Sequence, residues 1–293
     1  MSGEKITQEL SLGEVLSKTL DFYRRGFAKF LIPFLIVDVI TSVVGILIRD
    51  AVVPPIIFEG STNQQFQSWF FSYFGAIILL AALVLIVGLV FGTIAAATAI
   101  KLTSDQIEKG QAELGPSVRF AVSKLVSIWI VSLIIGIIVF LGIIALIVPG
   151  VILAIMFSLA LPVLLIEQLG ISSSMRRSRE LVGHRWLKTF VLFLVVGILI
   201  GIASFIANTI GGLFGSASSI VSGILSAFYA PIVPIVLVVY YYSNVARLAP
   251  SISQPPTPPD TGASSGTKFC SNCGTKLDSG VMFCPACGTK QSI

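Results

Sequence analysis

Charge-free apolar runs dominate the chain up to residue 248. Residues 60–100, 125–166 and 189–246 contain no Asp, Glu, Lys or Arg. A membrane-spanning helix needs about 20 mostly apolar residues, so each of the last two runs has room for two spans. Their turn candidates are Pro149-Gly150 and the Gly/Ser run from Gly211 to Ser219, because proline and glycine are the strongest local punctuators. A further apolar run, Phe30 to Ile48, is interrupted only by Asp38. The pattern predicts an all-α polytopic fold with about six transmembrane helices, at 29–49, 73–98, 124–146, 150–167, 189–209 and 220–244. The fourth is the shortest and fits a re-entrant segment as well as a span.

Composition agrees with a lipid environment. Of 293 residues 55% are hydrophobic and 11% charged, where a soluble domain carries about 25% charge. That balance excludes an ordinary cytosolic enzyme and a disordered chain, and it argues against a DNA-binding protein despite the net charge of +5. Residues 1–28 are polar or amphipathic and show no small-residue cleavage site, so the first span is expected to act as an uncleaved anchor. Six spans put the N-terminus, loops 99–123 and 168–188, and the C-terminus on one side. That side receives every Lys and Arg except Arg49. By the positive-inside rule both termini face the cytoplasm, in a multi-pass protein of the cell membrane.

Ser11-Leu12-Gly13-Glu14 has the spacing of a capping box. Leu12, Val15, Leu16, Leu20, Tyr23 and Phe27 follow at helical spacing, with Arg24, Arg25 and Lys29 at the end. This predicts an amphipathic helix lying on the inner membrane surface. Ser174 to Lys188 is similar, and its Arg176, Arg177, Arg179, Arg185 and Lys188 are candidate contacts for anionic lipid, although topology marking alone accounts for them. Ser117-x-Arg119 with Trp129 aligns without gaps to Ser174-x-Arg176 with Trp186, a weak internal repeat. Asp38 is the one charge inside a predicted span, and an intramembrane carboxylate is a functional candidate by default. The plainer expectation is a carboxylate bonded to a neighbouring helix, because no charged partner lies at matching depth. Gly88-x-x-x-Gly92 and Gly197-x-x-x-Gly201 have the spacing for close helix approach, and Pro231 and Pro234 predict a kink. Trp69 to Tyr73 and Tyr240 to Tyr242 read as interfacial aromatic belts.

After Leu248 the composition changes. Residues 249–267 contain five prolines with Ser, Thr and Gly, which predicts a disordered linker between a membrane domain at 1–248 and a small domain at 268–290. All four cysteines lie beyond it, as Cys270-x2-Cys273 and Cys284-x2-Cys287. Two close thiolate pairs suit one tetrahedral, structural zinc ion. The two halves repeat Phe, both Cys, Gly, Thr and Lys at a period of fourteen, so each reads as one zinc knuckle of a zinc ribbon. A cytoplasmic location disfavours disulfides. A segment this short cannot build a core unaided, so the metal is expected to supply its folding energy.

Val148-Pro149-Gly150-Val151, Ala160-Leu161-Pro162-Val163, Glu167, Ser174 to Val182, Trp186, Pro231 and Tyr240-Tyr241 resemble the membrane-domain-like family named after glycerophosphoryl diester phosphodiesterase. The resemblance spans residues 10–247 and implies a six-helix bundle of no settled activity. The catalytic domain of the enzymes that name the family has no counterpart here. The tail is similar to the short zinc ribbons that end many archaeal and bacterial membrane proteins, where such tails are thought to mediate contacts. His184 is the single histidine and no Walker-type glycine loop appears, so an enzyme is not expected. Two functional readings follow. One is a non-catalytic membrane protein that presents its zinc ribbon to a cytoplasmic protein partner. The other is a transporter or channel-like bundle with the ribbon as a regulatory tail. Nucleic acid is an unlikely partner, since Lys268, Lys276 and Lys290 give little positive charge.

Overall fold

A computed structural model describes residues 5–52, 63–183, 185–248, 268–269, 276–277 and 287, leaving aside the side chains of 49–52 and 216. The chain divides into two compact units, residues 1–248 and 249–293. The first is helical: α1 Leu12–Arg25, α2 Phe27–Val52, α3 Asn63–Lys109, α4 Leu114–Ala145, α5 Ile147–Met156, α6 Ala160–Ile166, α7 Ile171–Val182, α8 Trp186–Gly212, α9 Ser218–Tyr229 and α10 Ile232–Leu248. Among the described residues six stretches are long and apolar enough to cross a membrane: Phe27–Ile48, Asn63–Lys109, Leu114–Ala145, Ile147–Ile166, Trp186–Gly212 and Ser218–Leu248. Each contains or overlaps one span expected from the sequence, so the protein is an all-α polytopic membrane protein.

Helix α3 has 47 residues, about 70 Å at 1.5 Å per residue, against a hydrocarbon core of about 30 Å. It extends well beyond any bilayer. Its first turns carry stacked aromatics, with Trp69 and Tyr73 ring centroids 4.9 Å apart.

Three local expectations are corrected. First, the turn between the third and fourth spans falls at Leu146, which is extended (φ −166°, ψ 142°). Pro149 sits in the first turn of α5, where a missing N–H costs nothing. Gly150 is instead a close-approach residue: a Cβ there would lie 2.7 Å from Ile143 N and 2.9 Å from Ile143 Cα. Second, Gly88, Gly92, Gly197 and Gly201 face open space, with nothing within 4 Å of a Cβ. They bring no helices of this chain together. Third, α1 does not rest its apolar face on lipid alone. It has the expected capping box at Ser11 and Glu14, but it runs antiparallel along α10. The Leu10 amide donates to Ser243 Oγ at 2.9 Å and Tyr23 Oη donates to the Phe228 carbonyl at 2.8 Å. Val15 and Phe22 are fully covered.

The last span breaks between Tyr229 and Ile232, where Pro231 lies, as its prolines predict. The hairpin before it turns through a short 3-10 helix at Gly215–Ala217, with Gly215 at φ +55°. The proposed repeat has a local echo. Ser117 and Ser174 occupy the fourth position of α4 and α7, and each hydroxyl donates to the carbonyl four residues back. The echo ends there, because α4 runs on as one helix while α7 stops before Trp186.

Candidate functional site

The second unit contains one described element. Strands β1 Lys268–Phe269 and β2 Lys276–Leu277 pair antiparallel, with Lys268 opposite Leu277 and Phe269 opposite Lys276. Cys270 and Cys273 fall between these two strands in sequence. Cys287 lies in a turn and is exposed. Cys270, Cys273 and Cys284 lie outside the described residues, as do the linker 249–267 and His184. Four thiolates in two pairs close in sequence form a donor set whose chemistry fits tetrahedral zinc. Among the described residues no group of three or more His, Cys, Asp or Glu is placed to hold a metal ion.

Asp38 has one hydrogen-bond partner from another helix. Ser226 Oγ on α9 donates to Asp38 Oδ2 at 2.6 Å, with Asp38 partly buried. The two helices approach closely at Gly223, where a Cβ would lie 2.8 Å from Ser42 Oγ. Ser42 Oγ in turn donates to the Ser219 carbonyl at 3.0 Å. A hydroxyl, invisible to a search for charges, is therefore the partner of Asp38.

The basic segment is mostly engaged inside the protein. Arg177 Nε is 3.4 Å from Glu167 Oε1 and its Nη1 3.3 Å from Glu180 Oε2. Burial opposes the charge of Arg177, and the two carboxylates more than offset it, raising its pKa. Arg185 and Lys188 both reach Glu9, at 3.1 and 2.6 Å. Lys188 also donates to the Leu10 carbonyl at 2.8 Å. The Lys188 hydrogen bond holds the Glu9 carboxyl below its usual range, against partial burial. Arg179 lies over the Phe157 ring, 5.6 Å from its centroid, and remains exposed. Arg176 is 80% exposed and makes only a 3.9 Å pair with Glu180. Of the five candidate lipid contacts, Arg176 and Arg179 alone point their charge outward without a close ion pair.

Sequence reasoning missed the roles of Tyr240, Tyr241 and Tyr242. They form no lipid-facing belt. Tyr240 and Tyr241 are 1% and 4% exposed. Tyr240 Oη is 2.7 Å from Thr189 Oγ1 on α8, and Tyr241 Oη donates to Glu167 at 2.7 Å. Tyr242 Oη bonds Ser104 and Glu108 on α3. The three consecutive hydroxyls tie α10 to three neighbours. The only signal for this was their position at the charged end of a span, which an interfacial belt shares.

Among known families, the zinc-ribbon domain matches residues 269–291. No curated protein and no solved structure matches the chain. The membrane unit's resemblance to the glycerophosphoryl diester phosphodiesterase membrane-domain-like family therefore rests on its sequence motifs alone.

Proposed function

We propose that this is a non-catalytic membrane protein that presents a tethered zinc ribbon to a protein partner in the cytoplasm. The observation that carries the reading is the zinc-ribbon match at 269–291, following a proline-rich linker on a six-helix membrane unit. Cys270, Cys273, Cys284 and Cys287 would hold one zinc ion and close its coordination shell. A closed shell leaves no position for substrate, which fits a structural ion rather than a catalytic one. The excess of Lys and Arg in the loops supports cytoplasmic termini. No activity is carried over from the membrane-domain-like resemblance. The pairing of Asp38 with Ser226 favours an architectural carboxylate over a transport site.

The test uses the full chain in detergent. Metal analysis is expected to give one zinc per chain, and Cys270→Ser/Cys273→Ser is expected to abolish it while the membrane unit keeps its helicity. Crosslinking in intact cells is then expected to capture a cytoplasmic protein with the wild type and not with the cysteine variant. Full zinc content in the variant, or a tail labelled only from outside the cell, would overturn the reading.

A further inference from the structure

Helix α3 is far longer than the helix it crosses beside, and the excess lies at its aromatic end. Gly45 on α2 is level with Val84 on α3, where a Cβ on Gly45 would be 3.7 Å from Val84 Cγ2. The two helices cross in opposite directions and α2 ends at Val52, level with about residue 77 of α3. The start of α3 therefore rises past the end of α2 by about 14 residues, or about 21 Å. From Asn63 to Ala76 the sequence holds six aromatic residues and no charge. The headgroup layer outside the hydrocarbon is only about 5–8 Å deep, so an interfacial belt accounts for the nearest turn or so and the remainder stands in water.

The helix is covered on one side only. Trp69, Tyr73, Ala76, Leu80, Val84 and Val87 share one side and are buried or half-buried. Opposite them run Phe71, Gly75, Ile78, Ala82, Leu85 and Leu89, all exposed. Their spacing alternates four and three residues, the seven-residue repeat by which two helices wrap around one another. Phe71, Ile78, Leu85 and Leu89 are between 55% and 72% exposed, and nothing lies within 4 Å of a Cβ on Gly75. Within hydrocarbon such exposure is ordinary, because lipid tails are as apolar as leucine. At Phe71 the tails are out of reach, and exposed apolar surface meets water.

We infer that this face pairs with the same face of a second copy of the chain, the two α3 helices running parallel about a twofold axis along the membrane normal. Three features select this occupant. Copies of one chain insert with one orientation, so equal residue numbers meet across the axis and a closed, symmetric dimer results. The partner must be uncharged from within the bilayer to about 20 Å beyond it, a condition that residues 63–100 of this chain meet. Large Phe71, Ile78 and Leu85 alternate with small Gly75 and Ala82, so the knobs of one copy face gaps in the other. The exposed parts of Phe71, Phe74, Ile78, Leu85 and Leu89 come to about 500 Å² per copy. A pair then buries about 1,000 Å², the size at which specific interfaces begin. The surface is separate from the ribbon, from Asp38 and from the basic helix α7.

The test uses the full chain in native membranes and then in detergent. Phe71→Cys and Ser72→Cys are oxidised in membranes with copper phenanthroline, and the wild type gives the background of its own four cysteines. Ser72 is exposed as well but points about 100° away from Phe71 around the helix. Phe71→Cys is expected to form a covalent dimer and Ser72→Cys to stay at background. Native mass spectrometry in detergent is expected to give a dimer, which Phe71→Gln/Phe74→Gln weakens by at least about tenfold. Both side chains are exposed, so their loss opens no core, and helicity by circular dichroism should not change. Phe205→Gln, at an equally exposed position on α8, should leave the dimer intact. A chain that is monomeric in both settings, equal crosslinking at 71 and 72, or equal weakening by Phe205→Gln would overturn the pairing. So would a monomer whose Phe71→Cys resists an impermeant maleimide in native membranes, since a different molecule would then cover the face.

Discussion

Substituting Gly150 by alanine tests the packing logic of the membrane unit most directly. A Cβ at this position would overlap Ile143 Cγ1 and lie 2.7 Å from Ile143 N and 2.9 Å from Ile143 Cα. The side-chain atom can rotate away, but the backbone atoms cannot. Carbon atoms settle at about 3.5–4.0 Å, so α4 and α5 must part by about 1 Å locally. Gly142 faces the same contact, where its Cβ would lie 2.9 Å from Gly150 Cα, so the strain falls on the narrowest part of the hairpin. Overpacking of this kind costs about 1–3 kcal/mol. The control is Gly88→Ala, at a glycine with nothing within 4 Å, where relief of backbone entropy makes the change neutral or stabilising by up to about 1 kcal/mol. Equilibrium unfolding in mixed micelles, followed by circular dichroism, should separate the two variants by about 1–4 kcal/mol. Equal stability would mean that the hairpin is not closed by this contact, and the steric account would fail. Gly142→Ala together with Gly150→Ala should cost less than the sum of the two, since both widen one interface.

Two further outcomes follow from polar ties. The carboxyl of Glu9 is depressed below its usual value of 4.5, so its contribution is present above that pH and lost as pH falls through the folded-state value. Glu9→Gln is expected to lower stability by about 0.5–1 kcal/mol near neutrality, the range of a partly exposed ion pair. The gap between the two proteins should close in acid, and a pH-independent gap in urea or thermal melts would remove the ion pair as its cause. Ser226→Ala leaves the partly buried Asp38 without its interhelical donor and is expected to cost about 1–3 kcal/mol, with Asp38→Asn milder because it keeps an acceptor oxygen. A double variant as costly as the two singles added would show that the pair is not coupled.

The spans were legible because charge exclusion is a property of single residues, read one position at a time. The charge-free cores of the six stretches are bounded at one end by Lys29, Lys101, Lys124, Glu167, Lys188 and Arg247, where charges resume. Contacts between helices were not legible. Gly88-x-x-x-Gly92 had the better-known spacing and faces open space, while Gly142 and Gly150, eight apart and on different helices, make the close approach. Only the hairpin geometry sets which glycines meet. Tyr240 to Tyr242 likewise gave a lipid-interface signal from their chemistry, and only their neighbours turn them into internal hydrogen-bonding groups. In the ribbon the reverse holds. Ligand type and spacing are local along the chain, so Cys270-x2-Cys273 and Cys284-x2-Cys287 point to a zinc ribbon without any fold, and the zinc-ribbon match at 269–291 agrees.

The distribution of the core has a physical cause that joins these observations. Lipid tails are as apolar as leucine, so apolar contact alone gives little reason for helices to associate in the membrane. Much of α3, α4 and α8 accordingly turns large apolar side chains outward, such as Ile78, Leu133 and Phe205 at 64–73% exposure. Tight burial returns where charges resume. Thr19, Ser104, Ser117, Ser178, Thr189 and Ser243 are all buried, each within four positions of a Lys or Arg. Several bond to another segment: Ser243 to Leu10, Thr189 to Tyr240, Ser178 to Met156 and Ser104 to Tyr242. Each such bond has directionality that lipid cannot replace, and water competes for it only at the rim. The charged end thus fixes the arrangement of the helices, and the linker leaves from there, directly after α10.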